Sequence, residues 1–324
     1  MRPWVRVPPA RFSIHSGMIT YFQKSIKEKT FRTIDGLKPG TWIYCENPTP
    51  EEIQTLATQC HLDPGVLNDA LDPYEVPRLE IGSDAVYIFV RFPVPNEDIL
   101  AVSAPVLIIQ TSDFIATVSK LKLPFLEALI NKPIDVNTTQ KTKLTLQLMA
   151  MVHMSYFNAF SAIQKNIKRI SIDIEKITNK DIIRFIKFET ELNEYMSDLV
   201  PTNSMLNTLL SGKTIPLFEK DKELMHDVLL SNAQLIEECK SNLKTISNIR
   251  DAYSTIMTNN TNRIVRLLTA VTILLTIPMV ISSFFGMNVA LPTDNNPYGF
   301  FIIVLCTGLF SAGIFFLFYK NRWF

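Results

Sequence analysis

Two long apolar stretches dominate the hydropathy pattern, and both lie at the C-terminal end. Leu267 to Phe285 and Tyr298 to Tyr319 carry no charged residue, and each is about the twenty residues that a helix needs to cross the hydrocarbon core of a bilayer. Two such stretches in succession read as membrane spans rather than as buried core helices, and Tyr298, Tyr319 and Trp323 sit near their ends, where aromatic belts belong. The first span is polar in a patterned way. Asn262, Thr269, Thr276 and Ser283 recur every seven residues, with Thr272 near the same face. Polar groups facing lipid cost free energy, so the stripe is expected to face protein or water. Hydroxyls that merely tie helices together are the plainer alternative. A single copy with two spans cannot enclose a pore, so a pore requires several copies of the first span around an axis. Gly308 and Gly313 in the second span would suit close packing in an outer ring.

Upstream of the spans the pattern is helical. Leu224, Val228, Leu235, Cys239, Leu243, Ile246, Tyr253 and Ile256 keep a near-heptad seam, and no breaker follows Pro216 until Pro278. The spacing predicts one helix from about Leu217 to Phe285, roughly 100 Å long at 1.5 Å per residue, a stalk that would couple a cytoplasmic part to the pore. Lys141 to Lys176 and Asp181 to Leu210 are also helical by their three- and four-residue steps.

Before Thr139 the pattern alternates between strands and short helices. Ile19 to Phe22, Thr41 to Cys45, Ala85 to Phe92, Val102 to Gln110 and Phe114 to Val118 read as strands of a mixed sheet. Thr49-Pro50-Glu51-Glu52 is a capping box opening a helix to about Cys60, and Asp63-Pro64 opens another through Leu71. The expected organisation is an α/β cytoplasmic domain over 18–140, a helical stalk over 141–262 and a two-helix transmembrane pore domain over 263–324 with an external loop at 286–297. Met1 to Gly17, with three Arg, three Pro and no apolar run, reads as a non-native or disordered extension before a start at Met18, or as a basic tail.

Composition fits a large water-soluble part carrying a small membrane part, with 47% hydrophobic residues and a mean hydropathy of +0.14. Lys+Arg of 32 against Asp+Glu of 31 leaves +1, so no global field draws in nucleic acid. Cys45, Cys60, Cys239 and Cys306 share no metal-site spacing, which fits a reducing cytosol. Arg263 and Arg266 precede the first span, Lys320 and Arg322 follow the second, and the loop between has only Asp294 as a charge. The positive-inside rule then puts both ends in the cytoplasm. Ser211-Gly212-Lys213-Thr214 ends like a P-loop but lacks its first glycine, where Asn207 stands, and no preceding strand supports it. His15, His61, His153 and His226 are scattered, and no nucleophile motif accompanies them. Nothing points to an enzyme.

Thr261-Asn262-Arg263 through Leu268-Thr269, then Pro278, Phe285-Gly286-Met287-Asn288 and the tail Lys320-Asn321-Arg322-Trp323, resemble the CorA family of magnesium channels. Trp42-Ile43, Val66 to Leu71 and Pro77-Arg78-Leu79-Glu80 extend the likeness to the N-terminal part. The resemblance implies a homopentamer in the lipid of the cell membrane, with a funnel-shaped cytoplasmic domain. It implies a selectivity filter at Gly286, Met287 and Asn288 that reads hydrated Mg2+, with Co2+ or Ni2+ as possible further ions. The pore would pass Ser283, Met279, Thr276 and Thr272 to Leu268, Val265 and Asn262, with Val265 and Leu268 closing it. Asp69 of one subunit and Asp227 of the next would hold a regulatory Mg2+ that keeps the channel closed. Three departures stand out: Asn68 replaces a family acid, Val289 to Asp294 differ from the usual external loop, and Pro278 is shifted by about one residue. The alternatives are a zinc transporter of the ZntB branch, against which Met287 argues, and a membrane-anchored sensor that conducts nothing.

Overall fold

The structure is a computed structural model that describes residues 19–28, 30–94, 103–131, 136–287, 298–321 and 323. Met18 and the segment before it, Asn288, Asp294 and Arg322 lie outside the described residues. The chain forms two compact units. One holds the described residues up to Ile172 together with Thr178–Ile246; the other holds Asp173–Ile177 and the described residues from Ser247 onward.

The first unit is built on a seven-stranded sheet. Its strands are β1 (Ile19–Gln23), β2 (Arg32–Thr33), β3 (Thr41–Glu46), β4 (Arg78–Ile81), β5 (Ala85–Pro93), β6 (Ser103–Thr111) and β7 (Phe114–Ser119), in the spatial order β2-β1-β3-β7-β6-β5-β4. Every neighbouring pair is antiparallel except β3 and β7, which run parallel with Thr41 opposite Phe114. Parallel strands cannot be joined by a tight turn, and here the connection takes in two helices and three further strands. Strands β5 to β7 are buried at nearly every position rather than at alternate ones, the pattern of a sheet covered on both faces.

Helices α1 (Pro50–Cys60) and α2 (Pro64–Asp69) cover one face. Ile53, Leu56, Val66 and Leu67 form a core there with Ile43, Phe89, Leu107, Ile109 and Ala116. The capping box is present: Glu52 N–H donates to the Thr49 hydroxyl at 3.3 Å, and Thr49 N–H to the Glu52 carboxylate at 2.8 Å. Helix α1 stops at His61, whose left-handed backbone (φ 53°) turns the chain toward α2. A short α3 (Leu126–Asn131) follows the sheet, and α4 (Lys141–Ser171) packs across β5, β6 and β7.

The helix expected through Lys176 ends five residues earlier, at Ser171. A single 3-10 turn, Ile174–Lys176, intervenes, and at the start of α5 (Asn179–Leu210) the Thr178 N–H and hydroxyl both donate to the Asp181 carboxylate, at 3.1 and 2.6 Å. Pro201 lies inside α5 without ending it. Helix α6 runs unbroken from Glu219 to Phe285, 67 residues, and its first turn is secured by Phe218 N–H donating to Asp221 at 3.2 Å. Helix α7 spans Gly299–Lys320.

Candidate pore helix and cation-binding acids

Helices α6 and α7 each contain a window long and apolar enough to cross a membrane, and only 6% and 0% of those windows is buried within the chain. Core helices of a soluble protein would be covered; these are bare. At ~100° per residue, Asn262, Val265, Thr269, Thr272, Thr276, Met279 and Ser283 share an arc of ~100° on α6, with Leu268 at its edge. All eight are exposed. Ala270, which is fully buried, lies ~130° round the helix from the middle of that arc. The polar stripe is therefore turned away from the chain's own packing.

The threonines of the stripe have their protons occupied. Thr269, Thr272 and Thr276 hydroxyls donate at 2.8 Å to the carbonyls of Val265, Leu268 and Thr272. A hydroxyl bound back to its own helix keeps its lone pairs free to accept. At the end of α6, Gly286 N–H donates to Ser282 O at 3.0 Å and Met287 N–H to Phe284 O at 3.4 Å, so the first two filter candidates continue the helix end. The third, Asn288, is outside the described residues.

Asp69 is the last residue of α2 and is half-exposed. Its Oδ2 accepts from Arg78 Nη2 on β4 at 2.8 Å. Asn68 donates its amide to Pro64 O at 2.8 Å and so turns back on its own helix. Asp227 is exposed on α6. Among the described residues no three His, Cys, Asp or Glu side chains come together as a metal site. Exposed carboxylates suit a small, hard cation that keeps part of its water.

A buried charge cluster escaped the sequence reading. Arg91 on β5 reaches Asp198 on α5 at 3.1 Å. It also donates to Ser103 Oγ and O, and to the carbonyls of Pro73 and Glu75. Tyr156 on α4 donates to the second Asp198 oxygen at 2.8 Å. Burial pushes the Asp198 carboxyl above its ordinary range, while the Ser103 and Tyr156 hydroxyls and Arg91 pull it back. The available signal was one arginine inside Val86-Tyr87-Ile88-Phe89-Val90-Arg91-Phe92, an otherwise apolar strand. Thiolate chemistry has no foothold among the buried cysteines: burial raises Cys45 to about 12, Cys60 to about 11 and Cys239 to about 12.

Residues 38–320 match the family model described as CorA-like Mg2+ transporter protein. The chain belongs to the CorA family. It is 23% identical over 289 residues to the cobalt/magnesium transport protein CorA of Methanocaldococcus jannaschii, covering 87% of this chain and 90% of that protein. It is 22% identical over 289 residues to the putative metal ion transporter YfjQ of Bacillus subtilis, covering 87% and 89%. The complete structure of the CorA magnesium transporter from M. jannaschii superposes with a TM-score of 0.82 at 19% identity, covering 96% of this chain and all of that one. The family is one of transporters, not enzymes. A CorA fold accounts for the sheet, the long helices and the two bare apolar helices together.

Proposed function

We propose that the chain forms a homopentameric channel for magnesium influx across the cell membrane. The α6 stripe is its pore wall, and Gly286-Met287-Asn288 is the filter at its outer mouth. The observation that carries this reading is the exposed polar arc on α6, which leads directly to that motif in a chain of the CorA family. Both termini are cytoplasmic in this reading, because the basic residues Arg263, Arg266, Lys320 and Arg322 flank the outer ends of the two-span segment while its connecting loop has none.

Magnesium gives up its water reluctantly, so a pore that accepts the hydrated ion avoids a large dehydration cost. Back-bonded threonine hydroxyls and an Asn288 carboxamide ring offer acceptors to the ion's water without fixed charge. Val265 and Leu268, one turn apart near the inner end, form an apolar constriction that closes by dewetting. A divalent ion gains about 4.6 kcal/mol per 100 mV of inside-negative potential, so inward movement needs no nucleotide. Asp69 and Asp227 of neighbouring subunits hold a regulatory Mg2+ that stabilises the closed state; without a cation two facing carboxylates repel.

The test is magnesium entry into liposomes containing the full-length protein under an imposed potential. Entry that is lost in Asn288→Ala supports the channel and its filter. Full flux in that variant overturns the filter. Entry of zinc instead of magnesium overturns the ion assignment, and absence of both overturns the channel.

A further inference from the structure

Asp69 already has a positive partner. Arg78 Nη2 is 2.8 Å from Asp69 Oδ2 and 3.5 Å from Glu80 Oε2, and Nη1 pairs with Glu75. The guanidinium also lies over the Phe89 ring, 4.1 Å from its centroid, directly across the β4–β5 ladder. One cation thus serves three carboxylates, which are unequally placed. Glu75 is 11% exposed, whereas Asp69 is 48% and Glu80 45% exposed. The Glu75 backbone is itself pinned, because Arg91 Nη1 donates to Pro73 O at 2.9 Å and to Glu75 O at 2.7 Å.

We infer that Arg78 is a tethered counter-ion that competes with a divalent cation for Asp69 and so sets the concentration at which that cation binds. The inference rests on the reading above that Asp69 takes part in cation-dependent closure. The geometry makes the exchange inexpensive. A cation arriving at the open side of Asp69 removes one of the three pairs, and the better-covered pair with Glu75 survives. Arg78 then leans on Glu80, the other exposed acid. A forked, planar guanidinium holds its Nη1 and Nη2 donors at fixed separate positions, which suits it to bridging different acids in this way. The buried charge stays compensated throughout, so only an exposed pair is exchanged.

The two acids competing for Arg78 give the test opposite signs. Thermal melting of the full-length protein in detergent, titrated with magnesium chloride at constant ionic strength, reads the half-saturating magnesium concentration. Arg78→Gln frees Asp69 and is expected to lower that concentration roughly twofold to fivefold, the worth of one partly exposed ion pair. Glu80→Gln drives the guanidinium onto Asp69 and is expected to raise it by a similar factor. It carries the test if Arg78→Gln fails to fold because Glu75 loses its partner. If Asp69→Asn shifts the titration but neither Glu80→Gln nor a folded Arg78→Gln does, the competition is refuted and the Asp69 site stands. If Asp69→Asn leaves the titration unchanged, the site itself is wrong and the competition falls with it.

Discussion

Removing Arg91 tests whether the buried charge cluster, rather than the apolar sheet alone, holds the first unit together. In the folded chain the side chains of Arg91 and Asp198 are 10% and 6% exposed, and their atoms meet at 3.1 Å. Arg91→Met keeps much of the side-chain volume but leaves Asp198 buried with only hydroxyl partners. It also strips donors from the carbonyls of Pro73, Glu75 and Ser103. Breaking one side of a buried pair costs about 3–5 kcal/mol. A chain of this size loses about 2–3 °C of melting temperature per kcal/mol, so the expected fall is roughly 6–15 °C. Circular dichroism of the detergent-solubilised full-length protein measures it. The double variant Arg91→Met/Asp198→Leu removes both charges and should recover more than half of the loss, because two absent ions carry no desolvation penalty. A single-variant fall below about 3 °C, or a double variant as unstable as the summed singles, would refute the reasoning.

Two further outcomes follow from the same structure. His153 on α4 is half-buried, with its Nδ1 enclosed and unpartnered, and desolvation holds its pKa below the ordinary value near 6.5. Its folded form therefore resists protonation: stability is full above about pH 6.5 and falls as the pH drops through the window below it. Melting at pH 7.5 and 5.5 should show a smaller acid loss in His153→Gln than in the parent, and an equal loss would remove His153 as the cause. On α6, Thr276→Val deletes a stripe hydroxyl while keeping shape, and is expected to cut liposome magnesium flux severalfold. Leu274→Ala, ~160° away on the helix, should change it little; equal effects would show that the arc is not the ion path.

What could be read in advance depended on the range of the interaction. The Thr49–Glu52 capping box, the apolar run of β5 and the heptad seam of α6 are local patterns, each legible within a few residues, and each appears where its pattern places it. The break after Ser171 was not legible, since Ile172, Ile174 and Ile177 continue a helical spacing and the cap at Thr178 competes only once the chain turns. The two-residue β2 and the edge strand β4 lack an apolar run of their own and exist through pairing with β1 and β5. At the candidate site, the stripe on α6 could be seen from seven-residue spacing alone. The Arg78 cluster needed the sheet register that sets Arg78 against Phe89 and the turn that returns α2 beside it. The Arg91–Asp198 pair joins residues more than a hundred apart in sequence, and no local pattern marks such a partner.

The unbroken course of α6 constrains how the gene can vary. A single inserted or deleted codon anywhere between Glu219 and the first span would turn every later side chain by ~100° and shift it by ~1.5 Å. Asn262, Thr276 and Ser283 would then face wherever their neighbours now face. A seven-codon change would turn them by only ~20°. Length change in α6 therefore keeps the facing of the stripe only in whole heptads, each of which moves it ~10.5 Å along the helix axis.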